Sequence, residues 1–195
     1  MRARSHPLHS ADMKRMLLAL ALVAAGTAQA ADSPASKYFS GITLTDQNGK
    51  RVALYDVMRG HTVVMYSFFA NCANSCPLMA HSLTSLQKRF ADHLGRDLFF
   101  VSITVDPEHD TPDKLKTYAA RNMAKNGWIF LTGSREEINQ ALKKIGQYAE
   151  TPDAHMNTML IGNDVTGLWM KAQGLAKAED LGDLIQKAIA DKPAS

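Results

Sequence analysis

The 195-residue chain has only two cysteines, Cys72 and Cys76, and three residues separate them. The apolar run 63–69 predicts a buried strand before them, and the pattern after them predicts a helix with Pro77 in its first turn. Both thiols therefore lie on a strand-to-helix turn. We expect Cys76 near the helix N-terminus, where the helix dipole favours a thiolate. Such a pair can form a disulfide or share one soft metal ion.

The first thirty residues have the pattern of a secretory signal peptide. A basic head, Met13-Lys14-Arg15, precedes the apolar run 16–26, and Ala28-Gln29-Ala30 matches a cleavage site. Residues 1–12 do not fit this pattern, so we expect the true start at Met13. The apolar run has about 11 residues, fewer than the ~20 that span a membrane. We therefore expect cleavage, with an uncleaved membrane anchor as the alternative.

Export changes the interpretation of the cysteine pair. In an oxidising compartment two cysteines commonly form a disulfide, so a structural disulfide is the simplest hypothesis. However, the loop between Cys72 and Cys76 is short, and the entropic stabilisation by a disulfide grows with loop length. Stabilisation alone therefore explains the pair poorly, and a redox pair or a metal site stays open. The formal charge of +3, with basic residues scattered among acidic ones, does not indicate nucleic-acid binding.

The rest of the chain alternates strands and helices. Residues 31–40 are small and polar and predict a flexible mature N-terminus, and residues 41–195 form one domain. The predicted elements are a hairpin turning at Asn48-Gly49, a strand 61–69, a helix 77–94, a central strand 97–106, a helix from Pro112, a strand 128–131, a helix capped by Ser134 and Glu137, a hairpin 158–170 and a helix 177–190. This order predicts an α/β, thioredoxin-like sandwich with a mixed central sheet flanked by helices and an N-terminal β-hairpin.

A metal site at the cysteine pair needs a further ligand, and His155 is the best placed of the histidines. It comes just before a predicted strand, in a loop that lies against the cysteine turn in a thioredoxin-like topology. The alternative is a histidine at the surface or behind the ligands. Soft sulfur ligands favour Cu(I), while imidazole suits copper in either oxidation state. Among the methionines, Met156 is the one whose position warrants a test as an accessory ligand.

Three acidic residues follow the central strand. Asp106 has two interpretations: it could orient His155 or tune the thiols, or it could cap the turn before Pro107, and we favour the second. Glu108 and Asp110 are predicted to be solvated turn residues rather than catalytic carboxylates.

Several segments resemble the Sco (SenC) family. The segment 68–77, with its Cys-x-x-x-Cys-Pro motif, is similar to the copper-site motif of that family. The segment 102–112, with Val105-Asp106-Pro107-Glu108 followed by Asp110-Thr111-Pro112, looks like a second family motif, and residues 128–133 also fit. The resemblance runs from about residue 43 to residue 189.

The resemblance implies a thioredoxin-like domain, usually tethered to a membrane, that faces the periplasm or the mitochondrial intermembrane space. It implies a copper ion, Cu(I) or Cu(II), bound by Cys72, Cys76 and His155. It also implies a role in assembling the copper centre of cytochrome c oxidase, so that the oxidase's copper-bearing subunit or another periplasmic copper or thiol client is the partner. We expect a monomeric, periplasmic protein.

Two functions follow as hypotheses. The first is a secreted copper metallochaperone. The second is a thiol-disulfide oxidoreductase that acts on a client's cysteines through Cys72 and Cys76 without carrying metal, with Cys72 as the attacking thiol because it lies further out on the loop. A binding module with a structural disulfide is the third and simplest alternative.

Overall fold

The computed structural model describes residues 33–193. Within that range, seven strands form one sheet in the order β2-β1-β5-β4-β3-β6-β7, and six α-helices pack against it. The elements are α1 (Pro34–Phe39), β1 (Thr43–Asp46), β2 (Arg51–Ala53), α2 (Leu54–Met58), β3 (Thr62–Phe68), α3 (Cys76–Arg89), β4 (Leu98–Thr104), α4 (Pro112–Arg121), β5 (Trp128–Thr132), α5 (Arg135–Lys144), a 3₁₀ turn (Pro152–Ala154), β6 (Thr158–Asn163), β7 (Leu168–Gln173) and α6 (Ala178–Ala190). The predicted α/β sandwich with a mixed sheet and an N-terminal hairpin is confirmed.

The centre of the sheet determines where the cysteine turn lies. Strands β3 and β4 pair in parallel along their whole length, ending with Phe68 opposite Thr104. Every residue of β3 is buried, as expected for a strand covered on both faces. Strand β6 pairs with the other side of β3 and runs antiparallel, with Tyr66 opposite Met159. The end of β3 is therefore next to the start of β6, which brings the cysteine turn close to the segment that holds His155.

Side chains alternate between the two faces of each strand, so the sheet separates two hydrophobic cores. One core contains Phe68 and Phe100 and is covered by α3, α4 and α6; Cys76 belongs to it. The other contains Met65 and Ile103 and is covered by α1, α2 and α5. The cysteine turn therefore stands on a rigid base, because the strands beneath it are packed on both sides.

Two short segments, the turn between β1 and β2 and the start of α5, adopt the structures that their sequences predict. The chain turns between β1 and β2 at Gly49, whose φ of +79° lies in the left-handed region that glycine tolerates. At the start of α5, the Ser134 hydroxyl accepts a hydrogen bond from the Glu137 backbone N–H, and the Glu137 carboxylate accepts one from the Ser134 N–H. The predicted hairpin and the predicted capping box are both confirmed.

Two local expectations differ from the structure. Within the segment 31–40, predicted to be flexible, residues 34–39 form α1, because Ser33 caps the helix and Phe39 is buried in the second core. Helix α3 ends at Arg89 rather than near residue 94. The chain reverses there so that the Gly95 N–H can donate to the Leu98 carbonyl at the start of β4.

The predicted signal peptide, residues 1–30, lies outside the described residues. Among residues 33–193, no helix has the length and apolar character that crossing a membrane requires.

Candidate metal centre

Three side chains converge at the end of the central strands. One ligand atom from each of Cys72, Cys76 and His155 lies within 4.8 Å of the other two. Cys72 is in the turn after β3, Cys76 is the first residue of α3, and His155 follows the 3₁₀ turn that leads to β6. The structure thus brings together the three residues that the sequence offered as ligands.

The two cysteines are free thiols with different environments. Cys76 is buried, with 1% of its surface exposed, whereas Cys72 is partly exposed. The backbone N–H of Cys76 donates to the Cys72 sulfur at 3.4 Å, so the start of α3 holds the first cysteine close to the second. The Cys76 sulfur lies 3.3 Å from Nε2 of His155. Cys72 is therefore the more accessible of the two thiols.

The expected thiolate at the helix N-terminus is not favoured at Cys76. Burial raises the pKa of the Cys76 thiol, and its interaction with Cys72 raises it further. A backbone N–H contact at Phe69 opposes both effects but does not outweigh them. Burial therefore favours the protonated thiol at Cys76, and a cation that binds through this sulfur must displace the proton.

His155 is buried beside the cysteines in an environment that favours its neutral form. It is 9% exposed, and its ring packs edge-on against Phe69 with 5.7 Å between ring centroids. Burial lowers the pKa of His155, although the backbone of Met156 and the charge of Asp153 oppose this. Nε2 faces the Cys76 sulfur, while Nδ1 is buried and forms no hydrogen bond with the described residues. An uncharged imidazole is the form that binds metal ions.

Asp110 lies at the site, and its burial contradicts the prediction from the sequence. It was predicted to be solvated, but it is 2% exposed. Its carboxylate accepts hydrogen bonds from the Ala70 backbone N–H at 3.0 Å and from the Thr104 hydroxyl at 2.5 Å. Asp110 thus ties the loop that carries Cys72 to the end of β4. Burial raises the pKa of Asp110, and the two hydrogen bonds partly offset that rise.

Asp106 serves the turn, in line with the structural interpretation favoured from the sequence. Its carboxylate lies 2.9 Å from Nδ1 of His109, and its backbone N–H donates to the Thr104 hydroxyl. Glu108 is exposed and pairs with Arg135, as expected for a solvated turn residue. Met156 is 41% exposed beside His155.

A cleft of about 580 Å³ opens beside the cysteine turn. Its walls include Asn71 from the turn and Lys114 and Arg121 from α4. Tyr118, on the same face of α4, packs against Phe68 with 5.0 Å between ring centroids. Burial is the main cause of the raised pKa of Tyr118.

The fold and this site define a thioredoxin-like protein with two cysteines and one histidine gathered at the end of its central strands. The sequence profile of the SCO1/SenC family matches residues 30–175. The chain belongs to the SCO1/SenC family.

Two relatives show how far the similarity extends. The SCO1 protein homolog of Bacillus subtilis (strain 168) is 36% identical over 141 residues, which cover 70% of this chain and 71% of that protein. An SCO2-like protein of Rickettsia prowazekii (strain Madrid E) is 35% identical over 102 residues, which cover 52% of this chain and 47% of that protein. The chain therefore spans about half the length of the second relative.

Solved structures share the fold. A SCO1/SenC family lipoprotein from Bacillus anthracis str. Ames has a TM-score of 0.64 at 26% identity, over 75% of this chain and 92% of that one. Arabidopsis thaliana ScoI with copper bound has a TM-score of 0.63 at 25% identity, over 76% and 95%. BsSco, described as having a disulfide switch and as a member of the Sco family of cytochrome c oxidase assembly proteins, has a TM-score of 0.63 at 30% identity, over 77% and 92%. The predicted thioredoxin-like fold is confirmed.

Proposed function

We propose that the protein is an exported copper metallochaperone that binds one copper ion through Cys72, Cys76 and His155 and passes it to a client protein. The convergence of three ligand atoms within 4.8 Å carries this proposal. A first-row metal ion lies about 2.3 Å from a sulfur ligand and about 2.0 Å from an imidazole nitrogen. Three such ligands around one ion are separated by roughly 4 Å, so small side-chain movements complete the site.

The donor set favours copper. Two soft thiolates select Cu(I) or zinc, and imidazole suits copper in both oxidation states. Structural zinc sites usually have four ligands, whereas the group of potential ligands found among residues 33–193 has three. A three-coordinate site with two sulfur atoms and one nitrogen atom therefore fits copper better than structural zinc.

Copper transfer would proceed by exchange of ligands. A client thiolate would first replace Cys72, which is the more exposed of the two thiols, and a second client ligand would then replace the buried Cys76. Each released sulfur is free to regain a proton, and the raised pKa of Cys76 favours that step. The cleft beside the turn gives a client room to approach, and the Lys114 and Arg121 side chains in its wall are cationic.

We further propose that the client is the copper-bearing subunit of cytochrome c oxidase or another copper or thiol protein of the periplasm. The family membership and the description of BsSco as an oxidase assembly protein support this client. The signal pattern in residues 1–30 and the lipoprotein relative of Bacillus anthracis support export to the periplasm. The protein would act there as a monomer.

The second candidate function, thiol-disulfide exchange with a client, uses the same two sulfur atoms. It is favoured by the closeness of the two sulfur atoms, which lie within 4.8 Å of each other, and by the contrast between partly exposed Cys72 and buried Cys76. The Cys72 thiolate would attack a client disulfide and release one client thiolate. The Cys76 thiolate would then attack the Cys72 sulfur, which forms the Cys72–Cys76 disulfide and leaves the client reduced by two electrons. The high pKa of Cys76 slows that second step.

A copper titration separates the two candidates. We expect reduced wild-type protein to bind one Cu(I) per chain against a competing chelator, and Cys72→Ser and Cys76→Ser each to lose high-affinity binding. His155→Ala should weaken binding by about 10- to 100-fold, since one ligand of three is removed. Met156→Leu, next to His155, is the matched control and should bind as wild type does. If the double serine variant binds copper as tightly as wild type, the chaperone proposal fails, and a rapidly formed Cys72–Cys76 disulfide would then favour the oxidoreductase.

A further inference from the structure

A second concavity, of about 430 Å³, lies between α1, the end of α5 and the strands β6 and β7, of which β7 is at the edge of the sheet. We call it the lysine groove. Its floor is apolar and its rim is basic. The floor includes Phe39, Leu160 and Trp169, and the rim includes Lys143, Lys144 and Lys171.

The strand register explains why these side chains share one face. Trp169 and Lys171 are two residues apart on β7 and therefore point the same way. Lys171 is opposite Leu160 on β6, and Trp169 is opposite Gly162. A Cβ atom at Gly162 would lie 2.1 Å from the Trp169 ring, so only glycine leaves room for the indole to lie across β6. The Trp169 ring thus forms part of a flat apolar floor.

The rim is positively charged and has no acidic counterpart. None of the residues that line the lysine groove is an Asp or a Glu. Within residues 33–193, none of the three rim lysines takes part in an ion pair. The Lys144 ammonium lies 4.3 Å from the ring centroid of Tyr38, which is 49% exposed at the groove. The groove therefore combines unneutralised cations with exposed aromatic surface.

The position of the lysines at a helix end explains only part of this charge. Lys143 and Lys144 are in the last turn of α5, where cations interact favourably with the helix dipole. Lys171 comes from the sheet edge, and its ammonium group would lie 3.2 Å from a Cβ atom at Gly146, just past the end of that helix. The dipole of α5 does not explain why Lys171, which belongs to β7, adds a third cation to the rim of the groove.

We propose that the lysine groove binds one anionic phospholipid, with the phosphate on the rim lysines and the start of an acyl chain along the floor. An apolar floor with an uncompensated basic rim matches a ligand that is negatively charged at one end and apolar at the other. Tyrosine and tryptophan side chains next to lysines are also typical of protein surfaces that contact lipid headgroups. The groove belongs to the sheet face covered by α1 and α5, opposite the core that contains Cys76, so this inference does not depend on copper binding.

The protein contains its own reporter for the test. Of its two tryptophans, Trp128 is 2% exposed in the core, so a change in emission on ligand binding reports Trp169. The full chain is titrated with dihexanoyl-phosphatidylglycerol below its micelle concentration, and Trp169→Phe confirms the source of the signal. We expect a saturable change, with binding at least tenfold tighter than that of dihexanoyl-phosphatidylcholine or inorganic phosphate.

Substitutions then locate the site. Lys144→Gln and Lys171→Gln should each weaken binding about fivefold, which corresponds to about 1 kcal/mol for each lysine near an anionic headgroup. Lys116→Gln, an exposed lysine on α4, is the matched control and should not change the affinity. The proposal is overturned if no saturable change occurs, if the zwitterionic lipid or phosphate alone binds as tightly, or if the Lys116 variant loses as much affinity as the groove variants.

Discussion

Replacing Asp110 with alanine should have two effects: it should loosen the cysteine turn and lower the stability of the fold. The carboxylate accepts one hydrogen bond from the Ala70 N–H and one from Thr104, and hydrogen bonds to a charged group contribute about 1.5–3 kcal/mol each. Removing the carboxylate also relieves the cost of burying it, which reduces the loss. We therefore expect the free energy of unfolding to fall by about 2–4 kcal/mol. For a domain of this size that lowers the melting temperature by about 4–16 °C.

Asp113→Ala is the matched control, because Asp113 is an exposed acid only three residues after Asp110, in the first turn of α4. It should cost less than about 1 kcal/mol. Denaturant unfolding of both variants gives the stabilities, and a chelator competition gives copper affinity, which should fall about tenfold in the Asp110 variant only. The reasoning is refuted if Asp110→Ala is no less stable than Asp113→Ala, or if Thr104→Val and Asp110→Ala have strictly additive effects despite their shared hydrogen bond.

Three further outcomes are expected. An alkylating reagent should modify Cys72 faster than Cys76 in the reduced, metal-free protein, as measured by mass spectrometry of digested samples; equal rates would contradict the burial of Cys76. Copper affinity should rise with pH by at least about tenfold per unit near neutrality, because the raised pKa of Cys76 means that binding must release its proton; a flat profile in chelator competition at several pH values would argue against this thiol as a ligand. The Arg51 guanidinium lowers the pKa of Glu137 from 4.5 to about 2, so their pair stabilises the fold above pH 4.5 and loses that contribution as the pH falls towards 2. The effect is small because the pair lies at the surface, where solvent screens it, and acid unfolding of Glu137→Gln should show a smaller change over that pH range than wild type does.

Features that depend on neighbours in the sequence were predicted well. The turn at Gly49 needs a residue that tolerates positive φ, and the Ser134–Glu137 capping box joins groups three residues apart. The buried strand β3 was recognisable because its residues are almost all apolar. These signals are local, so no knowledge of tertiary contacts was required.

The position of His155 depended on topology rather than on local pattern. Its approach to Cys76 follows from the pairing of β6 with β3, which the order of elements implied. The early end of α3 and the docking of Phe39 were not predicted, because each depends on a contact made elsewhere in the fold.

Asp110 shows most clearly what sequence patterns leave out. A short acidic residue in a turn normally faces water, and nothing near it in the sequence marks it as buried. Its role depends on Ala70, forty residues earlier, whose N–H it accepts. In the sequence, the segment 102–112 that contains Asp110 is marked by its resemblance to a motif of the Sco family. The contact between the Asp110 carboxylate and the cysteine loop gives this acidic residue a physical role.

X-ray absorption at the copper edge tests the central claim most directly, because it counts the ligands and identifies their elements. In reduced wild-type protein loaded with one Cu(I), we expect two sulfur atoms at about 2.3 Å and one nitrogen atom at about 2.0 Å. The nitrogen signal should disappear in His155→Ala and persist in Met156→Leu. A copper ion without two sulfur ligands in wild type, or a nitrogen signal that survives the loss of His155, would contradict a copper site built from Cys72, Cys76 and His155.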